Sequence, residues 1–211
     1  TGKNSISISP HDTHTYKLVA ENAFDKAEKE LTINVLPLPK IQEFRSKQQK
    51  IEFEKETQLV WDIVNAEKIE LHWMGNMEII PNKGDKTISP TEHTNYKLIV
   101  TALDGATKEE REITVQVFKR VEIISFVSNL DFVVESLPIK LIWEINNASS
   151  VTLSSNIQSD IDVTGKSEIE IIPKKTAVFY LKANNELFSS NSSQLKIEVQ
   201  NIPTFNPSII P

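Results

Sequence analysis

The four histidines are the residues with the most specific potential chemistry, because a neutral imidazole is a common metal ligand. They are His11, His14, His72 and His93, and only His11 and His14 lie close together in the sequence. On a strand or loop this spacing does not place both rings on one face, as a helix would. The chain has no cysteine that could complete a zinc site. We therefore interpret the histidines as solvated side chains and predict no metal site.

Two groups of carboxylates have spacings that deserve the same test. Asp160 and Asp162 could begin a calcium-binding loop, but no further ladder of Asp or Asn residues with a glycine follows them. We interpret this pair as the polar edge of a strand. Glu109 and Glu110 lie between Lys108 and Arg111, and this mixture of charges is typical of a solvated hairpin tip.

Catalytic motifs are missing from the sequence. It contains no Gly-x-Ser-x-Gly run, and its five glycines are expected in turns and not in a phosphate-binding loop. The sequence therefore predicts no catalytic residue and no cofactor-binding residue. We expect a protein that is not an enzyme.

A repeated pattern organises the whole chain. Three stretches each contain a glycine, alternating apolar residues, a proline and then an aromatic-x-Leu run, and their prolines are Pro10, Pro90 and Pro173. The spacings are 90 − 10 = 80 and 173 − 90 = 83, and Trp61 and Trp143 are 143 − 61 = 82 residues apart. This period is the size of a small domain and not of a solenoid turn.

Each repeat reads as a series of short strands, because apolar and polar residues alternate with the period of a half-buried strand. Turn residues separate them, among them Asn82–Asp85 and Asp104-Gly105. In the best-defined copy the predicted strands are Lys40–Arg45, Gln58–Ile63, Lys68–Trp73, Glu78–Ile80, Lys86–Ser89, Asn95–Thr101 and Glu112–Phe118. Seven strands in about 80 residues, without a helical period, indicate an all-β immunoglobulin-like sandwich.

The absence of cysteine makes other core residues important, since an antibody-type sandwich joins its sheets with a disulfide. We expect Trp61 and Trp143 to replace it by packing. Tyr16 and Tyr96 are expected to form tyrosine corners, in which the hydroxyl bonds to nearby backbone. The third copy has Phe179 at this position.

The residues that the copies share at equivalent positions resemble a known protein family. The run L-x-W-x-I-x-N-A-x-x-(I/V)-x-L occurs at 59–71 and 141–153, and each copy continues with Ile-x-Pro and an aromatic-x-Leu strand. The pattern is similar to the bacterial immunoglobulin-like repeats of large surface and secreted proteins. The resemblance implies a spacer or adhesive sandwich without shared catalytic residues. Lys86 departs from the pattern, since the equivalent residues of the first and third copies are Ile6 and Ile169.

One short segment is peculiar to the second copy. Trp73, Met74 and Met77 have no apolar counterparts in the third copy. Trp73 is in phase with Ile69 and Leu71, which favours an inward position at the end of the sandwich. If it is exposed, a tryptophan beside two adaptable methionines would form a contact patch. These three residues are the candidate partner patch.

Composition limits the classes of partner. Hydrophobic residues make up 39% and charged residues 25%, and the net charge is −6. Without a basic stripe interleaved with aromatic residues, nucleic acid is not an expected partner. No apolar run approaches the roughly 20 residues that span a bilayer, so we expect no membrane insertion in this stretch. The two partner classes left open are a protein and a glycan.

The repeats predict four segments. Residues 1–36 are the C-terminal half of an immunoglobulin-like repeat, 37–118 and 119–200 are complete repeats, and 201–211 are a tail or linker. The Pro37-Leu38-Pro39 and Lys119-Arg120 junctions lack the Gly and Ser residues of a flexible tether. The half repeat lacks its Trp-bearing strand, so we expect another segment, or self-association through residues 1–36, to complete it.

Three functions remain open at the level of sequence. The first is a structural spacer or stalk in a larger surface or secreted bacterial protein. The second is an adhesion module that binds a protein or carbohydrate, and the third is an accessory domain of an enzyme whose catalytic part lies elsewhere. The resemblance favours an extracellular, cell-surface or periplasmic location, while a chain without cysteine fits the cytoplasm equally well.

Overall fold

The computed structural model describes residues 4–200, and these residues form strands joined by short turns. The predicted tail at 201–211 lies outside the described residues. The described part contains nineteen strands and no helix, as an all-β fold requires. The strands are β1 His14–Glu21, β2 Lys26–Ile33, β3 Lys40–Ser46, β4 Lys50–Glu52, β5 Thr57–Val64, β6 Ala66–Trp73, β7 Asn76–Ile79, β8 Lys83–Ile88, β9 Thr94–Ala102, β10 Lys108–Phe118, β11 Glu122–Ser128, β12 Phe132–Val134, β13 Ile139–Asn146, β14 Ser150–Ser155, β15 Ile161–Asp162, β16 Glu168–Ile171, β17 Ala177–Asn184, β18 Ser189–Asn191 and β19 Leu195–Gln200.

The second repeat is built from two sheets. One contains β3, β5 and β8, and the other has the order β4-β10-β9-β6-β7. A strand is present at each of the seven positions that the sequence predicts. Along β5 the residues alternate strictly between buried and partly buried, which places Leu59, Trp61 and Ile63 in the core.

Trp61 is a core anchor, as predicted. Its indole is buried, and Nε1 donates a hydrogen bond to the Pro81 carbonyl oxygen over 2.8 Å. The predicted turn at Asn82–Asp85 is wrong, because β8 already begins at Lys83. Gly84 lies within this strand and meets the face of Trp61. A Cβ atom at Gly84 would lie 3.0 Å from Trp61 Cζ2, so the glycine is required for space and not for a turn.

The third repeat uses the same plan. One sheet has the order β11-β13-β16, and the other has the order β12-β19-β17-β14-β15 with β18 beside β17. Trp143 is buried on β13, and its Nε1 donates to the Lys166 carbonyl oxygen over 2.8 Å. Phe179, Leu181 and Ile197 are fully buried in the same core.

Two short strands escaped the sequence analysis. β4 pairs in parallel with β10, and β12 pairs in parallel with β19. Each has three residues, too few for a period-two pattern to stand out. Their partners lie more than 60 residues later in the chain, which no local signal reveals.

The predicted tyrosine corner at Tyr96 is not formed among the described residues. Tyr96 is buried and stacks on Trp73, with ring centroids 6.4 Å apart, and burial alone raises its pKa. Tyr16, on β1, instead meets the His14 ring edge-on at 4.9 Å. Both rings therefore act through packing.

The N-terminal part of the described chain forms a two-stranded sheet. β1 pairs with β2 from His14↔Ile33 to Glu21↔Lys26. Residues 4–10 lie outside any strand, although they carry the same pattern as β8. The half repeat and the four segment boundaries remain predictions.

The chain groups into two compact units that do not follow the repeat boundaries. The first contains the residues up to Lys47, together with Gln58–Thr87 and Thr94–Thr114. The second contains Gln48–Thr57, Ile88–His93 and the residues from Val115 onward. The candidate sites described below each lie within one of these units.

Candidate partner-binding site

The β6–β7 hairpin closes through a two-residue turn, Met74-Gly75, between the paired residues Trp73 and Asn76. Both turn residues have positive φ, 46° at Met74 and 78° at Gly75, as a type I′ turn requires. Asn, Asp or Gly normally occupies the first of these positions, because a side chain with a Cβ is strained there. A methionine in left-handed backbone is an outlier, and outliers of this kind are concentrated at functional sites.

Trp73 lies at the rim of the sandwich and is partly buried. It follows the inward phase of Ile69 and Leu71, as predicted, and stacks on Tyr96. The Lys86 ammonium lies 5.4 Å from the centre of the Trp73 ring, in a cation–π contact. Lys86 replaces the isoleucine of the other copies, and Trp73 has no apolar counterpart in the third copy. These two departures from the repeat pattern contact each other.

The hairpin exposes apolar side chains to solvent. Met74 is 59% exposed and Met77 is 51% exposed, whereas Trp73, whose exposure the contact-patch hypothesis assumes, is only partly exposed. Ile79 is 62% exposed, and sequence reasoning missed it. The sequence signal that could have indicated the exposure of Ile79 is the adjacent Ile79-Ile80 pair. Neighbouring side chains on a strand point to opposite faces, so only one of the two, here Ile80, is buried. We call Met74, Met77 and Ile79 the hairpin patch. Trp73, whose ladder partner is Asn76, lies on the opposite, inward side of the hairpin.

β7 is also an edge strand, because it ends the sheet order next to β6. Edge strands present backbone groups that can pair with another chain. Glu78 faces the other side of β7 and forms an ion pair with Lys86. The hairpin patch thus combines exposed apolar side chains with an open sheet edge.

A cleft of about 250 Å³ lies beside the turn, and Trp73, Met74 and Lys97 are among its lining residues. The Lys97 ammonium contacts the Glu110 carboxylate at 2.6 Å, and this hydrogen bond raises the pKa of Lys97. His72 also lines the cleft, and its Nε2 is buried without a hydrogen-bond partner among the described residues. The charges around the cleft are balanced and do not favour a strongly charged ligand.

The remaining predicted chemical residues are not brought together. His11 and His14 are exposed, and His93 Nδ1 accepts a hydrogen bond from the Val117 N–H over 3.1 Å. Within residues 4–200 no three His, Cys, Asp or Glu side chains are arranged as a metal site. Asp162 lies at the edge strand β15, where hydrogen bonds from Thr164 hold the pKa of its carboxyl low.

Glu109 is not the solvated tip residue that its neighbours indicate. Its Oε2 accepts a hydrogen bond from the Ile41 N–H over 3.1 Å, and Arg111 Nη2 donates to the Ile41 carbonyl oxygen over 3.1 Å. Ile41 stands beside an irregularity in the β3–β5 ladder, between Ile41 and Glu43. Glu109 and Arg111 therefore satisfy backbone groups that this bulge leaves unpaired.

The Asn of the repeated N-A motif holds the start of each complete repeat. Asn65 and Asn147 both have φ of 61°, a left-handed conformation that Asn tolerates. Asn65 Nδ2 donates to the Leu38 carbonyl oxygen over 3.1 Å, and Asn147 Nδ2 donates to the Arg120 carbonyl oxygen over 2.8 Å. The two bonds span the same 27 residues of chain. We call each of them the asparagine clasp.

Further contacts fix the Lys119-Arg120 junction, all within the second compact unit. Asn185 Nδ2 donates to the Lys119 and Asn147 carbonyl oxygens, each over 2.9 Å. The Arg120 guanidinium binds the Glu52 carboxylate through two nitrogens, at 2.6 and 3.2 Å. An open cleft of about 620 Å³ beside the junction is lined by Asn147, Asn185 and His93, whose hydrogen bonds are already directed to backbone.

Two sandwiches in tandem, each with a buried tryptophan and a last strand that pairs with a short early one, define the chain as an array of immunoglobulin-like domains. Solved structures bear this out. The chain is similar to murine CEACAM1b, with a TM-score of 0.56 at 12% identity over 74% of this chain and 98% of that one. It is also similar to Sidekick-1 immunoglobulin domains 1–4, with a TM-score of 0.54 at 13% identity over 92% of this chain and 60% of that one. The N-terminal eight Ig domains of Down Syndrome Cell Adhesion Molecule match with a TM-score of 0.56 at 15% identity, over 90% of this chain and 28% of that one.

Such low identities establish the fold alone. No family model matches the sequence. A sequence relative from Ruminiclostridium cellulolyticum, an uncharacterized protein, is 26% identical over 197 residues. The match covers 92% of this chain and 54% of the relative, so the chain spans about half the length of the relative. Among residues 4–200, no helix has the length and apolar character needed to cross a bilayer.

Proposed function

We propose that this chain is a non-enzymatic structural spacer, a stretch of tandem immunoglobulin-like domains in a larger surface or secreted bacterial protein. The immunoglobulin-like fold supports a structural or binding role. The bacterial relative and the resemblance of the repeat motif support the bacterial assignment. An extracellular or cell-surface location belongs to the same proposal.

The asparagine clasp is the observation that carries this proposal. Both complete repeats devote the same left-handed asparagine to a backbone carbonyl at their own start. The amide contributes nothing to the hydrophobic core and satisfies a linker carbonyl instead. A spacer requires ordered linkers, and a repeated linker contact is what selection for order would retain.

The test is local order at the Lys119-Arg120 junction. In the wild-type chain we expect ¹⁵N order parameters of Arg120 and Val121 near about 0.85, equal to those of rigid strands. Asn147→Gly keeps the left-handed backbone accessible but removes the amide donor. Combined with Asn185→Ala, it should lower the order parameters at 119–121 and leave those of β17 unchanged.

Junction order parameters below about 0.6 in the wild-type chain would contradict the spacer proposal, because that value marks a flexible backbone. Asn129→Ala is the matched control. Asn129 also bonds to backbone in the third repeat, where its Oδ1 accepts from the Lys140 N–H. It lies away from the junction sequence and should leave residues 119–121 ordered. Labelling of intact cells with an antibody against the chain tests the surface location.

The hairpin patch favours a second function, the binding of a partner protein. Its methionines and Ile79 are exposed, and Met74 occupies a left-handed turn position that Asn, Asp or Gly would hold with less strain. A glycan has less support, because sugars stack on a free aromatic face and Trp73 is already in contact with Tyr96 and Lys86. A pull-down with the wild-type chain and with Met77→Ser plus Ile79→Ser tests this function. Equal recovery of every partner by both chains would exclude the patch.

A further inference from the structure

The β1–β2 hairpin has a face that is largely apolar by sequence and on which Leu18 and Leu31 are exposed in the structure. We define the hairpin face as Tyr16, Leu18, Leu31 and Ile33, which the ladder places on one side of the two strands. Leu18 is 72% exposed, whereas its counterparts Leu98 and Leu181 are fully buried. The equivalent leucine is therefore a core residue in the second and third copies and a surface residue in the first copy.

The opposite side of this hairpin is built for water. Lys17 and Lys26 both form ion pairs with Glu28 there, and these contacts lower the pKa of Glu28. A sheet with one charged and one apolar face is the pattern of an antiparallel sheet that covers a core. Within residues 4–200, the hairpin face is thus a core face without a covering sheet.

Residues 4–10, which precede the hairpin, also lack, among the described residues, the pairing that their counterpart in the second copy has. In the second copy their counterpart is β8, which pairs with β5 in the β3-β5-β8 sheet. In the first copy residues 4–10 form no strand, and Ile6 is 86% exposed. This segment has the pattern of a strand but pairs with no strand in the part of the chain that the structure describes.

We propose that the hairpin face is a docking site for a three-stranded antiparallel sheet of the β3-β5-β8 kind. The occupant supplies the first two strands of this sheet, with alternating apolar residues and a central tryptophan. Residues 4–8 of this chain supply the last strand. The proposal depends on the repeat relationship, which stands whether or not the chain is a spacer.

Two polar residues, His14 and Lys29, share this side of the sheet, and Lys29 fits the proposed occupant. Lys29 pairs with Leu18 across the ladder and shares its side of the sheet. Its counterpart 82 residues later is Arg111 (29 + 82 = 111), which donates to the carbonyl of Ile41 on the first strand of the covering sheet. Lys29 offers the same donor at the same place, to the first strand of the docked sheet.

The test is an extended chain in which residues 37–80 are duplicated ahead of Thr1. This places copies of β3, β5 and the strands between and after them before residues 1–36, at the spacing of the natural repeat. We expect the amides of β1 and β2 to exchange at least about 100-fold more slowly in the extended chain than in the parent chain, because they become part of a closed core. The amides of β17, in the third repeat, serve as the internal standard of folding.

Two variants of the extended chain make the result specific. Leu18→Asp puts a charge into the docked face and should return β1 and β2 to the exchange rates of the parent. Val19→Asp lies on the opposite, charged side and should keep the protection. Equal exchange in the extended and parent chains would overturn the proposal. A parent chain that is already protected, and that sediments as a dimer abolished by Leu18→Asp, would also overturn it, since the occupant would then be a second copy.

Discussion

Single residues fix the core of each sandwich in place of the missing disulfide. Trp61 fills the space between sheets and satisfies its one polar atom on the Pro81 carbonyl, so its burial leaves no unpaired donor. The cost of this arrangement falls on Gly84, which must remain without a side chain. The tryptophan could be predicted from its alternating neighbours, but the glycine could not, because its contact lies 23 residues away (84 − 61 = 23).

Gly84→Ala should destabilise the second repeat although it replaces a glycine within a strand. The added methyl would lie 3.0 Å from Trp61 Cζ2, and such overpacking costs about 1–3 kcal/mol of unfolding free energy. Urea unfolding monitored by tryptophan fluorescence measures it. Asp85→Ala, at the next and exposed position of β8, is the control. A Gly84→Ala midpoint at or above that of Asp85→Ala would show that the ring can move aside.

An Asx turn recurs in the three copies and gives a test of how a single side chain contributes to stability. Asn22, Asp104 and Asn185 occupy the same turn in the three copies, and each Oδ1 accepts the N–H groups two and three residues later. The Thr107 hydroxyl and the backbone N–H groups of Ala106 and Thr107 hold the pKa of Asp104 below its ordinary value. Its contribution to stability is therefore complete above the unfolded pKa of about 3.9 and is lost as the pH falls through the lower folded value.

Asp104→Asn should remove this pH dependence, because the amide oxygen accepts the same backbone bonds without titrating. We expect the wild-type chain to lose more stability than Asp104→Asn between about pH 5 and pH 2. Thermal midpoints across this range measure the difference. Parallel curves for the two chains would show that Asp104 has the same pKa in the folded and unfolded states.

At the scale of elements, period-two alternation located the strands with a buried face and failed where pairing alone makes a strand. β5 and β9 were evident from their sequences, whereas β4 and β12 exist only because a distant last strand pairs with them. The segment at 4–10 fails in the opposite sense, since it has the pattern without the partner. Of the hairpin patch, the sequence predicted Met74 and Met77 and missed Ile79, while the third predicted residue, Trp73, lies on the inward side of the hairpin.

Met74→Asn should stabilise the β6–β7 hairpin while reducing its apolar surface. Asn is favoured in left-handed backbone ahead of glycine in a type I′ turn, and relief of this strain is worth about 1 kcal/mol. Urea unfolding of Met74→Asn against Met74→Ala measures it, since alanine removes the side chain but keeps the strain. If the Asn variant is no more stable than the Ala variant, Met74 makes packing contacts that offset the strain.

At the scale of the whole molecule, repeat boundaries and compact units are different divisions of the chain. The sequence revealed the repeats through their prolines and tryptophans. It could not reveal that Gln48–Thr57 and Ile88–His93 group with the third repeat, because long-range contacts such as Arg120 with Glu52 and Val117 with His93 leave no local signal. The Phe53 N–H, for example, donates to the Phe118 carbonyl oxygen over 2.8 Å.

Trp143→Ala should therefore affect residues outside its own repeat. Truncation of a buried tryptophan costs about 3–5 kcal/mol. We expect the amides of Phe53 and Val117 to lose exchange protection together with β13, while those of β6 keep it. Tyr180→Ala, at an exposed position of the third repeat, is the control. Full protection of Phe53 in Trp143→Ala would mean that the repeat boundary, and not the compact unit, sets the limits of cooperative opening.

Met74 and Met77 are the two methionines of the whole sequence, and both lie exposed on one hairpin. Selective ¹³C labelling of methionine methyl groups would consequently give a spectrum of two signals, both from the hairpin patch. A partner at this patch would shift or broaden those signals, and one bound elsewhere would leave them in place. Mild peroxide would act on the same two sulfur atoms and convert apolar contact surface into polar sulfoxide. The amino-acid composition thus supplies a reporter and a chemical off-switch for one surface, without any substitution.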